Sequence, residues 1–119
     1  MLFRSYRALI RERFKLMGVV VVNPGLCTTV QDAGRPGYAA WGVSVGGAFD
    51  RGSAELANAL LGNSPGCAVL EMTLIGGTYR AECPVAMALA GAAVPARIVH
   101  SDGTEQRHCD GRPQLRRPG

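Results

Sequence analysis

Between positions 23 and 50 the chain reads NPGLCTTVQDAGRPGYAAWGVSVGGAFD, a stretch with no helix or strand period over most of its length. It holds six glycines: Gly25, Gly34, Gly37, Gly42, Gly46 and Gly47. Glycine lets one main chain approach another, or a ligand, closely. Polar side chains alternate with them, namely Thr28, Thr29, Gln31, Asp32, Arg35 and Asp50. A loop of this length is either functional or disordered. What it leads into favours the first. Asp50 is a favoured N-cap, because its carboxylate accepts from backbone N–H groups of a first helical turn. The spacing then predicts a helix over Arg51–Leu61, with Ala54, Ala57 and Leu61 on one face and Leu60 beside them. Gly62 suits a left-handed C-terminal residue, and Pro65 prevents continuation.

The other segments read as strands. Residues 19–22 are a β-branched run ended by the turn signal Asn23-Pro24-Gly25, and residues 26–31 are short and extended. Residues 38–45 are expected to carry an irregular extended piece around Trp41. Residues 68–73 form an apolar run with Glu71 embedded, followed by a Gly76-Gly77 turn. Residues 78–82 alternate, and residues 85–90 are strongly apolar. Residues 97–100 form a further strand, with Asp102-Gly103 as a hairpin turn. The fold class is mainly β with one principal helix.

At 119 residues the chain holds one domain at most. Aromatics are 6% of it, so the core rests on Val, Leu, Ala and Ile. No run of about 18 apolar residues indicates a membrane span. The net charge of +4 sits at the ends. Residues 1–16 carry five basic groups against one acid, whereas residues 17–100 carry four against five. A nucleic-acid interface needs a basic patch on the folded body, which this distribution does not supply. Residues 1–16 read as a basic N-terminal extension with amphipathic helical character, and Met17 as an alternative start. Residues 17–100 read as the folded domain and residues 101–119 as a loose tail.

The cysteines, at positions 27, 67, 83 and 109, have no C-x-x-C spacing, and His100 and His108 complete no zinc pattern with them. They are expected to be reduced, small core residues, and no metal site is expected. No phosphate loop of the G-x-x-x-x-G-K-[ST] type is present. Gly42-Val43-Ser44-Val45-Gly46 matches G-x-S-x-G, but a nucleophile elbow needs a firm strand before Ser44 and a parallel α/β sheet around it. Neither is evident. Gly46, Gly47 and Ala48, just before the helix, can offer backbone N–H groups to an anion or a polarised carbonyl. Gln31, Asp32 and Arg35 cluster; Arg suits a carboxylate, and Asp suits a proton-handling role or an ion pair with that Arg. Glu71 needs a partner if buried; in a cleft it is a candidate base.

Taken in order, PGLCTTVQDAGRPGYAAWGVSVGGAFD, ELANALLGN, AVLEMTLIGGT and ALAGA resemble the biotin-dependent carboxyltransferase family. That family is also described as allophanate hydrolase subunit 2 and includes the C subunit of 5-oxoprolinase and KipA-like proteins. The resemblance covers residues 19–93. It implies a cyclophilin-like β-barrel, incomplete in a chain less than half the family's usual length. Thr28, Thr29, Gln31, Asp32, Gly34, Arg35, Gly37, Gly47, Ala48, Asp50, Asn58, Gly62, Asn63 and Glu71 match the family pattern. The family commonly has proline at the position of Ser44 and serine at that of Gly46.

On this resemblance the chain is expected to be a fragment of a carboxyltransferase or amidohydrolase-type subunit that acts on a small amide, ureido or carboxylate substrate. The 5-oxoprolinase and the carboxyltransferase part of urea carboxylase are the implied counterparts. Asp32 and Glu71 are the expected catalytic residues. Gln31, Arg35, Gly46, Gly47, Ala48, Asp50 and Asn58 are the expected substrate contacts. Biotin or ATP is implied by the family only, since no motif here binds either. The implied partners are a KipI-like protein, equivalent to the B subunit of 5-oxoprolinase, and a LamB/YcsF-like protein. No nucleic acid and no membrane are expected, and the implied location is the cytoplasm. The alternatives are a non-catalytic KipA-like module that binds a KipI-like partner and, third, a serine hydrolase acting through Ser44.

Overall fold

The computed structural model describes residues 2–5, 18–108 and 114–116. Among these residues it is mainly β, with one α-helix and short antiparallel sheets that do not close into a barrel. The elements run β1 (Leu2–Ser5), β2 (Val19–Asn23), β3 (Cys27–Gln31), a 3-10 turn (Ala39–Trp41), α1 (Arg51–Leu61) and β4 (Val69–Thr73). Then follow β5 (Thr78–Ala81), β6 (Val85–Leu89), β7 (Ala96–Val99), β8 (Glu105–His108) and β9 (Gln114–Arg116). β6 is the centre of a three-stranded sheet between β1 and β9, and the other sheets pair β2 with β5, β3 with β4 and β7 with β8.

The helix forms where the capping chemistry places it. Asp50 accepts the backbone N–H of Ser53 at 3.0 Å and its hydroxyl at 2.6 Å. At the other end Gly62 takes a left-handed backbone with φ 68°. There the N–H of Asn63 reaches back to the Asn58 carbonyl at 2.9 Å, which satisfies a terminal acceptor. The buried face of α1 presents Ala57 and Leu61 to Ala86 and Ala88 of β6, with Val69 of β4 completing the cluster. Residues 86 and 88 point to one side of β6 because successive strand side chains alternate. Both are alanine, so helix and strand backbones approach closely. Leu61 is the largest aliphatic side chain in this cluster, and burying such a side chain contributes about 1.5–3 kcal/mol.

Several expectations need correction. Residues 2–5 are a strand antiparallel to β6, with Leu2 opposite Ala88, and not one end of an amphipathic helix; residues 6–16 lie outside the described residues. Residues 39–41 coil into a 3-10 turn in place of an extended piece, closed by Gly42 in the left-handed region. Tyr38 and Trp41 share the turn, their ring centroids 5.6 Å apart. In the region expected to be a loose tail, residues 105–108 pair with β7 and residues 114–116 with β6. Uniformly polar composition, Glu105 to His108, hides β8 from a sequence reading, because such strands carry no apolar period. Cys27 and Cys67 are exposed and Cys83 is half-buried, so they are not core residues; all three are free thiols. Cys109 lies outside the described residues. No helix among the described residues is long and apolar enough to cross a membrane.

Candidate functional site

The β3–β4 ladder sets the frame. Thr29 lies opposite Glu71 and Gln31 opposite Val69. Residues directly opposite in an antiparallel pair share a face, and so do residues two apart on one strand. Thr29, Gln31 and Glu71 therefore project from one side of this ribbon, where the Gln31 amide donates to the Thr29 hydroxyl at 3.1 Å. The glycine-rich loop leaves the ribbon immediately after Gln31.

That loop turns back at once. The Asp32 Oδ1 accepts the Gly34 N–H at 2.7 Å, a side-chain-closed turn. The turn lays residues 32–35 along residues 45–48. Arg35 donates its backbone N–H to the Val45 carbonyl at 2.8 Å, and Ala48 donates to the Asp32 carbonyl at 2.9 Å. Two glycines make this possible. A Cβ on Gly34 would come within 2.5 Å of the Val45 carbonyl oxygen, and one on Gly47 within 2.8 Å of that of Asp32. Both also have left-handed φ, 77° and 85°.

The corner preceding α1 is held from below by Glu71. One carboxylate oxygen accepts the Phe49 N–H and the other the Asp50 N–H, each at 3.1 Å. Arg51, in the first turn, reaches back to the Gly46 carbonyl at 3.1 Å. Asp50 points the other way, into its cap. The Ser53 hydroxyl, and then the Ser53 backbone N–H, hold its carboxyl below the usual carboxylate range, with desolvation a smaller opposing effect.

Of the expected residues, Gln31, Asp32, Arg35, Gly46, Gly47, Ala48, Asp50 and Glu71 thus come from three segments that touch one another. Their roles divide. The N–H groups of Ala48, Phe49 and Asp50 already serve protein acceptors. Those of Gly46 and Gly47 donate to none among the described residues. Arg35 makes no ion pair with Asp32 or any other acid among the described residues, so of the two readings of this cluster the Asp–Arg pair is not formed. Glu71 pairs with backbone donors and not with an arginine.

Asn58 stands apart. It is fully buried at 0% exposure in the second half of α1, and its amide donates to the Pro65 and Cys67 carbonyls at 3.2 and 2.9 Å. It ties the helix to the turn that follows. A Pro–Gly turn packed back on a helix leaves carbonyls facing it, and an asparagine on the helix's inner side is the signal for that arrangement.

Ser44 is exposed in irregular backbone, after the 3-10 turn and well before α1. The strand–serine–helix geometry of a nucleophile elbow is absent. Sequence reasoning also misses two exposed aromatic side chains, Phe49 at the corner at 98% exposure and Trp41 in the preceding 3-10 turn at 77%. Their apolar character alone suggests burial. No cluster of His, Cys, Asp and Glu among the described residues has the arrangement of a metal site.

These features belong to a mainly β domain with a glycine-locked corner at the entrance of α1. The family model of the carboxyltransferase domain, subdomain A and B, matches residues 41–110. The chain belongs to this family, that of the biotin-dependent carboxyltransferases. The match begins at Trp41 and runs past residue 93 to include the β7–β8 hairpin, further along the chain than the motif strings reach.

Three relatives are similar to it. The C subunit of the 5-oxoprolinase of Escherichia coli (strain K12) is 40% identical over 78 residues, which is 66% of this chain and 25% of the relative. A protein of Emericella nidulans provisionally named urea carboxylase is 35% identical over 86 residues, 71% of this chain and 7% of that protein. The urea amidolyase of Saccharomyces cerevisiae is 32% identical over 80 residues, 66% of this chain and 4% of the relative. The chain therefore spans a quarter or less of the curated relatives it matches.

Proposed function

We propose that the chain contributes one side of a binding site for a small amide, ureido or carboxylate substrate in a carboxyltransferase-type enzyme. The observation that carries this reading is the backbone lock between residues 32–35 and 45–48. It rigidifies a loop that would otherwise be mobile and leaves the Gly46 and Gly47 N–H groups without a protein acceptor among the described residues. Preorganised N–H donors stabilise negative charge developing on a carbonyl oxygen more effectively than water, because they need not reorient during reaction. The Arg35 guanidinium supplies a planar cation for a substrate carboxylate. Asp32 has one oxygen committed to Gly34, and its other oxygen is the candidate proton acceptor.

The similarity to a component of 5-oxoprolinase makes 5-oxoproline, which carries both an amide and a carboxylate, the first substrate to test. Biotin and ATP enter this reading through the family, and none of the residues above is assigned to either. In the reconstitution experiment the chain replaces the matching quarter of the E. coli C subunit in a chimaera, with the remaining components and ATP present. Turnover of 5-oxoproline supports the proposal, and its absence in an assembled complex contradicts it.

A second reading is a non-catalytic module of KipA type that pairs with a KipI-like protein. The exposed Phe49 at the corner and the exposed Trp41 in the 3-10 turn favour it, since large aromatics are enriched at protein interfaces. Stable co-purification with such a partner, without turnover, selects this reading.

A further inference from the structure

We infer that Glu71 is a positioning residue, which holds the corner before α1 in its ligand-ready shape through the Phe49 and Asp50 N–H groups. The inference rests on the reading of residues 46–50 as a binding corner. It departs from the role of general base that an acid in an apolar strand invites.

Three observations carry it. Each Glu71 oxygen accepts a different backbone N–H at 3.1 Å, so the carboxylate bridges two successive peptide groups. A base needs an oxygen directed at the substrate proton, and here both are directed at the main chain. The side chain projects from β4, and the ladder with β3 fixes its height, since Glu71 lies opposite Thr29. Finally, the carboxylate sits where α1 begins, at the end of a helix that favours negative charge. Asp50 does not compete for this position, because its own carboxylate is turned to Ser53.

The consequence reaches the free donors through the chain itself. Gly46 and Gly47 both have positive φ, 64° and 85°, a region open to glycine over a wide range of angles. Two such residues do not hold a direction on their own. Ala48 is fixed on one side by Asp32, and Phe49 and Asp50 on the other by Glu71. With residues 48–50 immobile, the Gly46 and Gly47 N–H groups keep one orientation. Without Glu71, residues 49 and 50 lose their acceptors, and the segment is held only on its other side, by the Asp32–Ala48 and Arg35–Val45 pairings and by Arg51 on the Gly46 carbonyl.

Glu71→Gln tests the inference, because it keeps the size and removes one acceptor, setting an amide NH2 against a backbone N–H. Amide hydrogen exchange followed by NMR on the full chain is the first readout. Exchange at Phe49 and Asp50 is expected to accelerate by on the order of tenfold or more, as for a locally opened segment, with the Ala54 amide unchanged. The second readout is the affinity for 5-oxoproline by calorimetry, expected to fall in parallel. Unchanged exchange at Phe49 and Asp50 overturns the inference. Faster exchange with unchanged affinity also overturns it, because the corner would then be structural only. If the unaltered chain does not bind 5-oxoproline, the functional reading fails, while the exchange result still decides whether Glu71 pins the corner. Should the variant not fold, through-hydrogen-bond couplings in the unaltered chain between the Glu71 carboxylate carbon and the Phe49 and Asp50 amide nitrogens decide the point. Their presence supports the inference and their absence overturns it.

Discussion

Gly47 lies so close to Asp32 that a Cβ in its place would stand 2.8 Å from the Asp32 carbonyl oxygen, the atom that accepts the Ala48 N–H. The contact and the hydrogen bond are one feature, since the backbones can pair only where no side chain separates them. Gly47→Ala must therefore break the pairing as well as strain its own φ of 85°. The expected loss is about 2–4 kcal/mol, from backbone strain and a separated hydrogen bond together. Gly37→Ala is the control: it also has positive φ, 95°, but a Cβ there meets nothing within 4 Å. Its expected cost is about 1 kcal/mol, for strain alone. Chemical denaturation of the two variants measures the difference.

Asn58→Ala removes the donors to the Pro65 and Cys67 carbonyls. The expected destabilisation is about 1–3 kcal/mol, as for leaving polar groups unsatisfied at a buried position. Asn58→Asp is expected to be worse, since it replaces a donor by an anion facing two carbonyl oxygens. Denaturation midpoints rank the variants. Ligand affinity of the fraction that stays folded is expected to be unchanged, because Asn58 serves the turn after α1 and not the corner before it.

The Asp50 cap gives stability a pH dependence with a definite sign. Hydrogen bonds from the Ser53 hydroxyl and backbone N–H lower its carboxyl from the ordinary value of 3.8. A group depressed in the folded state adds stability above its unfolded value and loses it as pH falls through the folded one. The cap's contribution is thus complete at neutral pH and fades below pH 3.8. In denaturation series, Asp50→Ala is expected to be less stable than the unaltered chain at neutral pH. The gap is expected to narrow as pH falls below that value.

Ser44 is exposed and lacks the strand before it that an activated serine requires. Ser44→Ala is therefore expected to leave any labelling by a serine-directed phosphonate probe unchanged. Labelling that depends on Ser44 would restore the hydrolase reading.

What is legible in the sequence follows the range of the interactions. The helix over Arg51–Leu61 is readable in full, because its cap, apolar face and terminating glycine are all local signals. The hairpin at Asp102-Gly103 is readable for the same reason, with Thr104 closing on Asp102. The crowding of Gln31, Asp32, Arg35 and residues 46–50 into one region is legible only as a glycine-rich loop anchored by a helix. Its lock is between residues far apart in sequence, and a glycine shows that something is close without showing what. Glu71 is recognisable as an acid in need of a partner, but the partner is main chain, which carries no sequence signature. Asn58 matches the family pattern and so suggests a ligand contact; its burial and its two carbonyl acceptors show an equally strong structural reason for asparagine there. β1 is misread because residues 1–16 carry a loose helical apolar spacing, and β8 because Glu105–His108 holds no apolar residue to mark a strand.

In the proposed function, the loop after β3 and the corner before α1 together bind a small substrate carrying an amide and a carboxylate. Titration of the isotope-labelled chain with 5-oxoproline, followed by amide NMR shifts, tests it most directly. Saturable shifts concentrated at Gly34, Arg35, Gly46 and Gly47 are expected, with the β7–β8 hairpin unmoved. Shifts confined to other elements, or none at saturating ligand, would contradict it.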